Sequence, residues 1–319
     1  MKSLRTIIGS TNVVGPKVIC CVFAVVFAIC TPVGRRRAKT IWRTAPLSCS
    51  IAQHAFGTSI VVVRTSSEIV VAADSMLVWL TDDGRRWTVP ICKIRQAGSV
   101  FFAIGGASGN DSSGYDPFRI AVDACSLGTN MMDKISRFET LVHSHLSNEF
   151  AAIVKDKVLG KAGFEPRGVF FVVAFFGVEG RTMQLHIREW RAQQDENGTV
   201  TAVPNWIYDC PGKDCKYADD PSYRQIIPLA ANKEAIEYRD THRNEMASSD
   251  TVSIARRLVK VAMDAHPDFI GEPTAVLRLH ASGAEWVGAK GPCLAVQPHT
   301  SPAPQLSKSA NRRKSRRRR

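Results

Sequence analysis

The chain has 319 residues, 45% of them hydrophobic and 8% aromatic, and a formal charge of +13. It is long enough to bury a full core, and too apolar to remain a disordered chain. The basicity sits in the flanks: residues 1–57 carry eight Lys/Arg and residues 294–319 another eight, with no acid in either, which leaves 26 basic against 29 acidic residues between them. The basic face of a folded nucleic-acid binder would survive that subtraction, so specific nucleic-acid recognition is excluded for the body. The terminal "RRKSRRRR" is left as a non-specific contact for polyanions.

Residues 1–57 read as a leader and propeptide-like segment outside the fold. Within them "VICCVFAVVFAICTPV", residues 18–33, is an apolar run of signal-peptide length preceded by Lys2, Arg5 and Lys17. It is short for a membrane span, which takes roughly 20 residues. The following "RRRAKTIWR" opposes translocation. The expectation is an exported, periplasmic protein or one anchored by this segment, with a cytoplasmic location if translation starts further in.

From Thr58 the pattern turns to strands. Ser59–Arg64 and Glu68–Ala73 are β-branched runs separated by "TSS", a hairpin pattern. Residues 79–90 read as a polar excursion, and "CKIRQAGSVFFAIGGASGND" as two strands ending in a glycine-rich turn. Asp116-Pro117 then opens a helical block that runs to Val154 with a break near Gly128. Gly168–Val178 and Thr182–Trp190 form a second hairpin, and 191–224 reads as mostly loop. Residues 249–265 are an amphipathic helix with a Ser/Asp start. Thr274–His280 and Ala284–Val287 are a last strand pair, and 294–319 is a disordered basic tail. The order of strands, helices, strands, helix and strands predicts two antiparallel sheets with helices outside, without βαβ units.

The nine cysteines form no metal pattern. Cys210 and Cys215 are close enough for a local disulfide in an exported protein and would otherwise be free thiols, while Cys92, Cys125 and Cys293 are scattered singly. His143 and His145 in "HSH" alternate on a helix and read as a solvated helix end. Asn197-Gly198-Thr199 matches a glycosylation acceptor and is first a turn signal.

Four pieces taken in order, "GTSIVVV", "VVAADS", "CKIRQ" and "AIGGASGND", resemble the proteasome β-subunit family and its bacterial relatives among the N-terminal nucleophile hydrolases. "FIGEPTAVLRLHASGAEWVG" resembles the closing strand pair of that family. The similarity spans residues 57–290 and is dense over 57–111. It implies an α+β fold, a four-layer αββα sandwich of two antiparallel sheets over residues 58–293. It also implies a threonine peptidase or amidohydrolase that cuts itself between Gly57 and Thr58, acts on a peptide or small amide, and forms a homo-oligomer. Neither cofactor nor metal is implied.

The chemistry accounts for the residue types. A Thr hydroxyl is a poor nucleophile until a base takes its proton, and an N-terminal Thr can use its own α-amine, whose pKa of about 7.7–8.0 suits proton exchange near neutrality. By the resemblance Thr58 is the nucleophile, Lys93 tunes it, Asp74 holds Lys93, and the Gly106 N–H stabilises an oxyanion. Asp268 stands where an acid would hold the terminal amine. Ile91, Arg95 and Ile104 would line the side-chain pocket. Two departures stand out: no Ser follows Asp268 at the family's spacing, and the family's middle Ser has no counterpart. A proteasome-like binding or scaffold protein that is never cleaved is therefore the alternative.

Overall fold

A computed structural model describes residues 53–81, 84–110, 113–156, 169–215, 220, 222–230, 233–288 and 293. The apolar run at 18–33 and the basic tail lie outside the described residues. Within them the fold is mixed α/β, with three antiparallel sheets and five helices.

The first sheet contains the predicted hairpin, β2 (Ser59–Arg64) and β3 (Glu68–Ala73). Its turn is closed by Thr65, whose Oγ1 accepts from the N–H groups of Ser67 and Glu68 at 3.2 and 3.1 Å. β12 (Gln225–Ala230) pairs with β2, while β13 (Ala275–His280) pairs with β3 and with β14 (Gly283–Trp286), giving the order β12-β2-β3-β13-β14. β2 and β3 read as continuous apolar runs because both of their faces are buried. Ile60, Val62, Ile69 and Val71 belong to one apolar cluster. The alternating Val61, Val63, Val70 and Ala72 belong to another, which includes Ile254, Ala255 and Leu258 of a helix.

The second sheet has the order β11-β10-β9-β7-β6, from β6 (Ile94–Ala97), β7 (Val100–Gly106), β9 (Val169–Glu179), β10 (Thr182–Gln194) and β11 (Val200–Cys210). Phe101, Ala103, Val172 and Phe176 share the cluster of Ile60 and Val62. Phe102, Ile104, Phe171 and Phe175 point the other way and cluster with Phe118, Ile135, Phe138 and Val142.

These last come from α1 (Pro117–Leu127) and α2 (Met131–Asp156). Asp116 caps α1 by accepting from Phe118 and Arg119 N–H at 3.0 and 3.1 Å, ahead of the first-turn proline. α3 (Lys233–Thr241) and α4 (Arg243–Ser248) precede α5 (Thr251–Ala265), which Asp250 caps through Val252 and Ser253 N–H, both at 3.0 Å. No helix among the described residues is long and apolar enough to cross a membrane.

A third sheet, order β5-β4-β1-β8, corrects the expectation of two. It consists of β1 (Gln53–Phe56), β4 (Met76–Thr81), β5 (Arg86–Pro90) and β8 (Gly109–Asn110). Two readings fall with it. Residues 53–56 pair as a strand of this sheet instead of lying outside the fold, and 79–90 is largely a hairpin, its polar residues fitting because β5 is an exposed edge strand. The stretch 191–224 is likewise not mostly loop. β10 and β11 pair continuously from Leu185↔Cys210 to Gln194↔Val200, and the polar sequence reflects the exposed positions of β11.

His143 and His145 are exposed in the middle of α2 rather than at its end. Cys210 and Cys215 are bridged, and so are Cys92 and Cys293 across 201 residues, a pairing that sequence proximity could not show.

Candidate active site

The hairpin register produces the spacing between Thr58 and Asp74. Ile60 pairs with Ala73, and one step further out Asp74 N–H donates to Ser59 O at 3.2 Å while Ser59 N–H donates to Asp74 Oδ1 at 2.8 Å. Asp74 therefore lies opposite the neighbour of Thr58. Its carboxylate also accepts from Met76 N–H at 3.1 Å and Gly271 N–H at 3.3 Å through Oδ2.

Lys93 enters from the second sheet, just before β6. Its Nζ donates to Asp74 Oδ1 at 2.7 Å, Asp74 Oδ2 at 2.9 Å and Gly57 O at 2.5 Å. Neither Asp74 nor Lys93 exposes any of its side chain. Burial pushes the Lys93 ammonium below its ordinary value, against the attraction of Asp74. The Asp74 carboxyl is raised by the same desolvation, opposed by Lys93 and the backbone donors.

Thr58 is buried, and its hydroxyl donates to the carbonyl oxygen of Gly57. Gly57 turns the chain between β1 and β2 at a φ of +95°, and a Cβ there would stand 2.3 Å from Phe269 O. Only glycine fits this bend. The Gly57 carbonyl thus meets a hydroxyl and an ammonium at once.

The structure brings Gly57, Thr58, Asp74 and Lys93 together. Gly105 is the glycine whose Cα faces the Thr58 side chain: a Cβ on Gly105 would meet Thr58 Cγ2 at 3.1 Å, whereas one on Gly106 would strike Phe170 O at 2.1 Å. Asp268 is not at the site. Its exposed carboxylate pairs with Arg86 at 3.3 Å, and its own segment reaches the site through Phe269 O and Gly271 N–H instead. Arg95 lies over the Phe118 ring at 4.0 Å, Ile104 is buried in the core, and Ile91 packs against the same apolar cluster. Sequence reasoning missed Gly105, Phe269 and Gly271. Gly105 was within reach as half of a Gly-Gly pair, but a backbone oxygen contributed by a distant loop leaves no sequence signal.

The arrangement defines a class by chemistry: a buried Lys–Asp pair aimed at the carbonyl that precedes a threonine, in a mixed α/β fold. No protein-family model matches the chain, and no curated protein matches it. Among solved structures it is similar to an Anbu (Gly-1) mutant from Hyphomicrobium sp. strain MC1, at 16% identity and a TM-score of 0.41, covering 74% of this chain and 87% of that one. Membership of the proteasome β-subunit family, which the motifs implied, is corrected by these findings: without a matching family model, a distant likeness to Anbu does not make this chain a proteasome β-subunit.

Proposed function

We propose that the protein is a self-processed amidohydrolase acting on peptide bonds, with Thr58 as nucleophile, built on a four-layer αββα sandwich. The two larger sheets share one apolar cluster, α1 and α2 lie on the outer face of one sheet, and α5 lies on the outer face of the other. The observation that carries the chemistry is the Gly57 carbonyl oxygen, which receives the Thr58 hydroxyl and, at 2.5 Å, the Lys93 ammonium.

Attack of Thr58 Oγ1 on the Gly57 carbonyl carbon forms a C–O bond, and the developing oxyanion is stabilised by Lys93. The C–N bond then breaks, with the hydroxyl proton ending on the Thr58 nitrogen. Water hydrolyses the resulting ester, releasing a Gly57 carboxylate and a free Thr58 α-amine. That amine serves as base for the next acyl transfer, taking the hydroxyl proton and passing it to the leaving amine of a substrate. Asp74 keeps Lys93 in place, and the Gly106 N–H is the expected second oxyanion donor.

A second reading, a binding protein that is never cleaved, is favoured by the way β1 is built into a sheet. Intact mass and N-terminal sequencing of the purified protein, with Thr58→Ala alongside, decide between them. The enzyme reading expects a wild-type chain that begins at Thr58 and a variant that retains Gly57. The same upstream start in both would leave the binding reading.

A further inference from the structure

The segment just before Thr58 is held like a bound peptide. β1 is hydrogen-bonded along both edges, pairing with β4 from Gln53↔Thr81 to Phe56↔Val78 and with β8 at His54↔Asn110 and Ala55↔Gly109. Ser108 N–H adds a bond to Ala55 O at 2.8 Å. A strand laid between two others and running into the bond to be cut has the geometry of β-strand addition, in which the backbone supplies affinity and the side chains supply choice.

The side chains of this strand meet distinct surroundings. His54 is fully buried, and its Nδ1 lies 2.6 Å from Glu149 Oε1. Glu149 projects from α2, is itself 2% exposed, and accepts from Asn110 Nδ2 at 2.5 Å through its other oxygen. Ala55 is fully buried, 3.6 Å from where a Cβ on Gly109 would lie. Phe56 belongs to the apolar cluster of Val78 and Phe118. Gly57 admits no side chain, because Phe269 O fills that space.

We propose that the groove between β4 and β8 is the substrate site, that its occupant is an extended peptide, and that Glu149 selects a histidine or cationic side chain four residues before the cleaved bond. The third residue before the bond is small, the second aromatic, and the one next to it glycine. The inference rests on Thr58 being the freed nucleophile. Once the leader has left, the Glu149 carboxylate loses its imidazole partner, and a peptide that restores that pair is favoured over one that places a like charge there.

The test uses the full chain as expressed, after its N-terminus has been sequenced. The probes are four peptides ending in a fluorogenic aminomethylcoumarin amide: acetyl-His-Ala-Phe-Gly, its Glu-first and Ala-first counterparts, and acetyl-His-Ala-Phe-Leu. The His peptide is expected to exceed the Glu peptide by about tenfold or more in kcat/KM, mainly through KM, with the Ala peptide between them. The Leu peptide is expected to be the poorest. Glu149→Gln should erase the His-over-Glu preference, and the wild-type series stands by itself if that variant does not fold. A chain that begins at Thr58 but cleaves all four peptides alike, or none, overturns the groove assignment and leaves the self-processing intact. A chain still carrying Gly57 overturns both.

Discussion

Lys93 Nζ lies 2.7 Å from Asp74 Oδ1 with both side chains fully buried, so a residue just ahead of one sheet's edge strand is paired with a residue just past a strand of another. Breaking such a pair by removing one partner typically costs about 3–5 kcal/mol, because the other charge is left buried alone. Replacing both with apolar residues of similar size is often neutral. Lys93→Met and Asp74→Leu are therefore each expected to lower stability in urea by several kcal/mol, whereas the double variant should recover most of it. The double variant should still retain Gly57, since the ammonium at the Gly57 carbonyl is gone. Normal processing by the double variant would remove Lys93 from the chemistry.

The same pair gives stability a definite pH dependence. Asp74 is raised from 3.8, so the native state holds more protons than the unfolded chain above 3.8, and stability from this group falls as pH rises through that window. Lys93 is lowered from 10.5, so the unfolded chain holds more protons below 10.5, and stability from this group rises with pH up to that value. Urea midpoints measured across both windows should show these slopes in wild type and flatter curves in the double variant.

Gly105 is expected to tolerate no methyl group. A Cβ there would lie 2.9 Å from Ala230 Cβ and 3.1 Å from Thr58 Cγ2, and the Thr58 side chain would have to shift. Small displacements of reacting groups cost on the order of 100-fold in rate. Gly105→Ala should slow release of the leader by about that factor, read as the ratio of the two chain lengths over time.

The Cys92–Cys293 bridge spans 201 residues and ends beside Lys93. By chain entropy a loop of that size contributes about 5 kcal/mol. Non-reducing peptide mapping should recover the linked pair, and Cys92→Ala with Cys293→Ala should lower the urea midpoint markedly. An unchanged midpoint would show that the bridge does not constrain the chain.

Cys125, a free thiol among the described cysteines, is buried and its pKa is pushed up to about 11 by desolvation. The thiolate is the reactive form, so at pH 8 iodoacetamide should leave Cys125 unmodified in the native protein and alkylate it in urea. Rapid labelling of the folded chain would contradict this placement.

Much of the fold was legible because its signals are local. The hairpin of β2 and β3 and the starts of α1 and α5 follow from β-branched runs and from Asp caps, which act within a few residues. Thr58 and Asp74 were legible for a related reason: a two-stranded register is fixed by its turn, so their spacing carries their proximity. Lys93 was reached only through the resemblance, since nothing along the chain places it beside Asp74.

Other features depended on tertiary packing. Residues 53–56 are four short-range neighbours of a Gly bend, and their strand exists only because β4 and β8 supply partners for both edges. Asp268 was a reasonable acid by sequence, yet its segment presents its backbone to the site and its carboxylate to solvent. Local sequence determined the strands, the caps and the Thr58–Asp74 spacing, because each rests on hydrogen bonds closed within a turn or a hairpin. The Lys93 contact, the Glu149 pairing and the Cys92–Cys293 bridge were decided by the packing of sheets and helices, because their partners are distant in the chain and only the folded core brings them within a few ångströms.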